Sequence, residues 1–573
     1  MIGVPRWRVV AVFALLAACV GALGIKAGRL QLVLGDDLRA LAENQYLRKI
    51  QVAAPRGTIT DVKGRPLAVS VPAVSVSARP PLVEDKAAAA KALAPILGVE
   101  PSEIFQKLSS TEKFVWLKRR AAADVADGVR ALSIPGIELK SDVRRMWPQK
   151  TMAGQLLGLV DVDGKAIGGV EQAFDDSLEG RAQQAPAVAD NKGDRIALPD
   201  GLDLDLLDGD TVALTLDLEI QHEAELAVAS AVVEHGAKAG WAMAMDPKTG
   251  AILAVANYPS FNPNAPTTET ARDKALSEAF EPGSIFKIAT FAAALEAGVV
   301  KPDDRIFCEN GRYQLGKHVI HDTHKAGWLS AVEVFQESSN IGTLKIGQRL
   351  GEDGLKSALA RFHFGELPGT GLIGESPGRV QQGRWSDARL ATVSFGHGVL
   401  VTALQMTSLA QAVANGGVRM TPHLLSKVTT TTGELVKSGD VDEGERIISA
   451  DVAKTLTGIM KTVEKEGGTG MLAAIPGIEV AGKTGTAEKV DPVTHKYSDQ
   501  MHMTSFVGFA PADDPKVVAI VVLDEPKGSA HFGGIGAAPA WRRIVERALV
   551  EDGVLAQGQI AKLGVVPAKK NAH

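Results

Sequence analysis

A run of seventeen residues without a charge, Val9 to Ile25, lies near the start of the chain, with Arg6-Trp7-Arg8 before it and Lys26 and Arg29 after it. As a helix it spans roughly 26 Å, just under a bilayer's hydrocarbon core, and Trp7, Arg8 and Lys26 extend it by snorkelling. It predicts one transmembrane anchor. A cleaved signal peptide needs a polar region and a small-residue site, whereas here apolar residues continue to Ile25. Leu16-Ala17-Ala18-Cys19 resembles a lipoprotein processing box, but Val20-Gly21-Ala22-Leu23 is too apolar for a mature lipoprotein start. A buried core helix is disfavoured by the two preceding arginines. Orientation stays open, because Lys26, Arg29, Arg39, Arg48 and Lys49 follow the span and only Arg6 and Arg8 precede it.

Beyond the anchor the pattern shortens. Up to about residue 225, turn-rich Ala54-Pro55-Arg56-Gly57 and Asp61-Val62-Lys63-Gly64-Arg65-Pro66 surround β-type pieces. Lys86 to Leu97 has the alanines and the period of a helix as far as Ala94, before Pro95. Asp190 to Asp210 reads as a loop or linker, and there is no internal repeat. Trp241 to Asp246 and Ala251 to Asn257 flank Pro247-Lys248-Thr249-Gly250 and predict a hairpin. Ser284 to Glu296 has a helical period that stops at Gly298. Met503 to Phe509 and Val517 to Leu523 form two strands separated by a Pro- and Asp-rich turn. Strands at both ends of this region, with helices between, predict one sheet closed by distant segments.

Length and charge narrow the class. At 573 residues the chain holds two or three domains. A net charge of -5 with 23% charged and 5% aromatic residues leaves no basic, aromatic-interleaved footprint, so nucleic acid is excluded as a partner. Cys19 and Cys308 are far apart and imply no disulfide framework.

The candidate chemistry sits in Gly477 to Lys489, which fits two incompatible motifs. Gly477, four residues, then Gly482-Lys483-Thr484 matches a phosphate-binding loop, and Val517 to Leu523 before Asp524 looks like its magnesium-binding strand. Lys483-Thr484-Gly485 is also the K-T-G of penicillin-interacting serine acyltransferases. A phosphate loop must open into a helix. Here Ile478-Glu479-Val480 is strand-like, and Gly485 and Pro492 leave no room for a helix. The acyltransferase reading needs two partners, and both are present: Ser284-Ile285-Phe286-Lys287 supplies S-x-x-K, and Ser338-Ser339-Asn340 supplies S-x-N.

With these three motifs in this order, the chain resembles the class B penicillin-binding proteins, peptidoglycan D,D-transpeptidases, of the cell-division (FtsI) type. The blocks Arg56 to Asp61, Gly168-Gly169-Val170-Glu171 and Glu281-Pro282-Gly283-Ser284 are similar to that family's. Gly383 to Asp387 with Ser394-Phe395-Gly396-His397-Gly398 resembles its septal rather than its elongation branch. Arg145-Met146-Trp147-Pro148 departs from it, lacking a Tyr before the Pro. The resemblance implies a multi-domain α+β protein with an anchor (1–30), an elongated mixed α/β pedestal of dimerisation type (31–225), a transpeptidase domain with an antiparallel sheet sandwiched by helices (226–555), and a tail (556–573).

A serine hydroxyl is a weak nucleophile, so Ser284 needs a base, and Lys287 can serve once burial and a second cation, Lys483, lower its pKa. By resemblance, Ser338 relays the proton to the leaving D-alanine, and Asn340 binds the stem peptide. That peptide would add as a strand beside Lys483, where Gly485 permits close approach. Ser284 and Thr486 backbone N–H groups would make the oxyanion hole, and the Thr484 and Thr486 hydroxyls would hold the terminal carboxylate. No cofactor and no metal is implied: Cys308, His318, His321 and His324 have no usual zinc spacing and read as a solvated or site-proximal loop. The glycine-rich Lys465 to Gly470 reads as a turn. The implied partners are stem peptides, β-lactams as covalent inhibitors, the inner membrane and, at the septum, an FtsW-like glycan polymerase with other division proteins. Alternatives are an elongation-type relative, a β-lactam-hydrolysing or -sensing relative, and the phosphate-loop nucleotide hydrolase.

Overall fold

The computed structural model describes residues 6–33, 47–52, 54–180, 183–189, 195–197, 208–267, 271–439 and 441–556. Most of the expected linker, Asp190 to Asp210, and all but the first residue of the expected tail lie outside them. The described residues form two compact units, one running to Pro55 and again from Gly180 to Asp208, the other from Arg56 to Glu179 and from Gly209 onward.

In the first unit, helix α1 (Arg6–Gly28) contains the predicted span, and no residue of the helix is buried. Among the described residues it is the one helix long and apolar enough to cross a membrane. The same unit pairs strand Leu47–Val52 antiparallel with Gln183–Ala189.

The second unit is built on a five-stranded sheet. Its strands are β1 (Ala239–Met245), β2 (Ile252–Tyr258), β3 (Ala481–Val490), β4 (Tyr497–Ala510) and β5 (Val517–Asp524), in the order β2-β1-β5-β4-β3, all antiparallel. The hairpin and the distant closing strands are therefore as the apolar pattern predicts. The period of two in β5 explains its central place. Val518, Ile520 and Val522 enter the larger core, while Val517, Ala519, Val521 and Leu523 enter a second core on the other face. That second face is covered by helices α2 (Leu218–Glu234) and α5 (Ala538–Glu551), and the first by α3 (Lys287–Glu296) and the helix Ala403–Ala414. The 225/226 division read from the sequence falls inside α2.

A second sheet joins the two halves of the sequence. Strand Thr211–Leu214 pairs antiparallel with Leu425–Thr429 and parallel with Ile59–Thr60, which in turn pairs with the long strand Pro66–Ala78. The motif residues Arg56, Asp61 and Glu171 are structural in this region. Glu171, fully buried, takes Arg56 Nε at 2.6 Å and Arg145 Nε at 2.7 Å. The fully buried Asp61 accepts from Arg65 N, Lys63 N and Leu218 N at 2.8, 3.0 and 3.3 Å, which fastens the turn to the start of α2.

Three local expectations shift. The helix at Lys86 runs through Pro95 to Leu97, because Leu97 is buried and Gly98, in the left-handed region, caps the end by donating to Ala94 O. The Lys483 strand begins at Ala481 rather than Ile478, which only bridges to Ile475. The Ser284 segment opens with a tight 3-10 turn, Gly283–Phe286, before α3.

Candidate active site

Gly283 sets the turn that carries Ser284. Its φ is +53°, and a Cβ there would stand 2.4 Å from Thr486 O, so the turn packs directly against β3. Lys287 follows Ser284 by three residues, at the start of α3. Lys287 is fully buried. Its Nζ donates to Ser338 O at 2.5 Å, Asn340 Oδ1 at 2.8 Å and Ser338 Oγ at 3.0 Å.

The S-x-N segment is held by a carboxylate that the motif pattern does not include. Asp322 Oδ1 accepts from Asn340 N at 2.6 Å and Ile341 N at 3.0 Å, and Oδ2 accepts from Ser339 Oγ at 2.6 Å. It thereby joins Ser339 in capping helix α4 (Asn340–Arg361). Ser338, just before the cap, has φ +61°, a strained geometry for a serine that the surrounding contacts impose.

Lys483 arrives from the opposite wall. It is also fully buried, and its Nζ donates to Ser338 Oγ at 3.0 Å and Thr484 O at 3.1 Å. One hydroxyl therefore accepts from both lysines. Burial brings Lys287 down to about 7, with the Asp322 charge opposing. Lys483 is held well below the ordinary lysine value by burial and then by repulsion from Lys287. Burial, which the sequence reading set beside Lys483 as a cause, leads for both lysines.

Ser284, Ser338, Asn340, Thr484 and Thr486 line one cleft of about 760 Å³. β3 forms its wall as an edge strand of the sheet, the position at which a further strand can add. Thr486 Oγ1 donates to His531 O at 3.1 Å, and Thr484 Oγ1 pairs with Thr469 Oγ1 at 2.6 Å. Either hydroxyl would have to turn to hold a carboxylate. A Cβ at Gly485 would meet Ser505 Oγ at 2.3 Å and Pro282 O and Ile285 Cγ2 at 3.0 Å, so this glycine also admits the neighbouring strand and the Ser284 turn.

Neither Thr469, inside what reads as a glycine turn, nor the group around Glu281 stands out in the sequence as part of the site. Tyr497 Oη donates to Glu281 Oε1 at 3.0 Å, Gly398 N donates to the same oxygen at 2.9 Å, and His397 lies beside it. Burial, aided by the Lys287 charge, pulls His397 down to about 4, so it is neutral at pH 7. His321 and His324 line the cleft, as the site-proximal reading requires, whereas the buried Cys308 thiol turns to Ile306 O. The nucleotide reading fails. The chain runs as strand from Ala481 to Val490, with no helix after Lys483, and the Lys483 ammonium points into the buried lysine pair.

Residues 240–546 match the penicillin binding protein transpeptidase domain, and residues 51–212 match the penicillin-binding protein dimerisation domain. This chain belongs to the class B penicillin-binding proteins. It is 33% identical to the peptidoglycan D,D-transpeptidase FtsI of Escherichia coli over 94% of this chain and 91% of the relative. It is 32% identical to the probable peptidoglycan D,D-transpeptidase PenA of Neisseria gonorrhoeae, over 97% and 92%. Penicillin binding protein 3 of Mycobacterium tuberculosis, solved with aztreonam, is similar in structure with a TM-score of 0.68 and 27% identity, covering 88% of this chain and 98% of that one. In this penicillin-binding protein the dimerisation-type segment ends at residue 212, within the strand that leads into α2.

Proposed function

We propose that this chain is a serine D,D-transpeptidase that cross-links peptidoglycan stem peptides at the division septum, and that β-lactams acylate the same serine. The observation that carries this reading is the pair of buried lysines sharing Ser338 Oγ in the cleft that Ser284 lines. Ser284 Oγ attacks the carbonyl carbon of the penultimate D-alanine while its proton passes to neutral Lys287. The Ser284 and Thr486 N–H groups stabilise the oxyanion, a donor set whose members are each worth ~10²–10³ in rate. The C–N bond then breaks, and Ser338, bridging the lysines, delivers the proton to the leaving amine. An amine of a second stem peptide takes the acyl group.

The substrate orients the protein. Cross-linkable stem peptides lie outside the cytoplasmic membrane, so α1 is the anchor and the residues after it are extracytoplasmic. Protease added to spheroplasts should digest the chain beyond residue 30, and protection of that region contradicts this arrangement. The septal assignment draws support from the FtsI relative and from the Ser394 to Gly398 block, which packs on the nucleophile turn through Gly283 N to Gly396 O at 3.1 Å. The anchor and the dimerisation-type module would then meet an FtsW-like polymerase and other division proteins. The direct test is release of D-alanine from a peptide ending in D-alanyl-D-alanine, with transfer to an amine acceptor. Wild type should release it, Ser284→Ala should not, and turnover by the variant would refute the reading.

A further inference from the structure

The acyl-enzyme must be attacked by an amine, and an alkyl amine reaches the cleft at neutral pH mostly as its ammonium ion. Something must attract that cation and take one proton before the nitrogen can act. The two lysines are suited to the other proton, the one returned to Ser284, but they carry no negative charge to draw an ammonium in. Among the described residues lining the cleft, the carboxylates are Glu337 and Glu488. Glu488 lies on β3 opposite His502 in the strand pairing, away from Ser338. Glu337 immediately precedes Ser338, at the end of the short helix Ala331–Gln336. Its carboxylate makes no hydrogen bond or ion pair among the described residues, whereas its neighbours Ser338, Ser339 and Asn340 are all engaged, with Lys287, Lys483 and Asp322. His324 lies on the loop that lines the same cleft.

We propose that Glu337 receives the acceptor amine: its carboxylate binds the ammonium of the second stem peptide and removes a proton from it beside Ser338. This rests on the transpeptidase reading above. The balance is complete within the site. The ammonium N–H proton goes to Glu337 and on to water, the amine nitrogen bonds the acyl carbon, and the ester C–O bond to Ser284 breaks. The second N–H proton travels through Ser338 and Lys287 to Ser284 Oγ, which regenerates the hydroxyl. The groups acting on Glu337 agree with this role. Burial and the neighbouring Glu333 and Asp322 raise its pKa above that of a free glutamate and make it a better base, while His324 opposes them. Lys287 and Lys483 stand behind Ser338.

The test uses the full-length chain in detergent, an acyl-D-alanyl thioester as donor and D-alanine as amine acceptor, and reads the ratio of aminolysis to hydrolysis. Fluorescent-penicillin acylation is measured alongside. Glu337→Gln should acylate at the wild-type rate but lose about 10²-fold in the ratio at pH 7, the scale of a positioned general base. Its aminolysis should climb with pH as the free amine deprotonates, closing the gap to wild type at alkaline pH, a signature that a merely structural role would not produce. Glu337→Asp should give an intermediate ratio. A wild-type ratio in Glu337→Gln at every pH overturns the inference. Loss of penicillin acylation in either variant places Glu337 in the first half-reaction and overturns it equally. Failure of wild type to acylate would instead sink the transpeptidase reading.

Discussion

In the proposed mechanism Lys287 must be neutral before it can accept the Ser284 proton. Burial lowers its pKa to about 7, so the base form prevails above that value and the protonated, inactive form below it. The rate of penicillin acylation should therefore fall about tenfold per pH unit below pH 7 and level off above it. Asp322 is the charge that holds this pKa up. Asp322→Asn keeps an oxygen for Asn340 N yet removes the charge, so the midpoint of the acylation profile should move to lower pH. Stopped-flow acylation across pH 5 to 9 checks the direction, and a midpoint that stays or rises contradicts this electrostatic account. The residues that meet in the cleft were legible because each sits in a motif of fixed residue types at short internal spacing, S-x-x-K, S-x-N and K-T-G. Asp322, between His321 and His324, carried no signal of its own, since a cap can be supplied from any loop that reaches the helix end.

The elements explain why those residues meet. β3 and the nucleophile turn touch backbone to backbone, at Gly283 against Thr486 O and at Gly485 against Pro282 O. Gly485→Val should drive the strand and the turn apart, with about 1–3 kcal/mol of overpacking and a severe loss of acylation. A thermal melt beside a penicillin-labelling time course checks both. Labelling at the wild-type rate would show that the strand has room there, contrary to the 2.3 Å approach to Ser505 Oγ. The strands were legible from short apolar runs and from Gly and Pro punctuation. The role of Gly485 was not, because a glycine that admits a ligand and one that admits a neighbouring turn look alike in sequence. The passage of the helix through Pro95 was hidden for a similar reason: a buried leucine and a glycine cap outweigh one missing donor near a helix end.

At the scale of the molecule, the strand Ile59–Thr60 and the turn after it tie the N-terminal segment of the second unit to α2. Asp61→Ala leaves the buried N–H groups of Arg65 and Leu218 without their acceptor, a loss of about 1–3 kcal/mol. The melting temperature of the detergent-solubilised protein should fall while acylation well below the melt persists. Loss of acylation with an unchanged melt would mean that Asp61 serves the site instead. This long-range fastening was not legible, since only the folded chain brings Asp61 to Leu218. The central claim, that Ser284 is the acylated nucleophile served by Lys287 and Lys483, is tested most directly by mapping the penicillin adduct by mass spectrometry in wild type, Ser284→Ala and Lys287→Ala. The account predicts one adduct on the peptide containing Ser284, none in Ser284→Ala and a severely slowed one in Lys287→Ala. An adduct on another peptide, or one that survives Ser284→Ala, would contradict it.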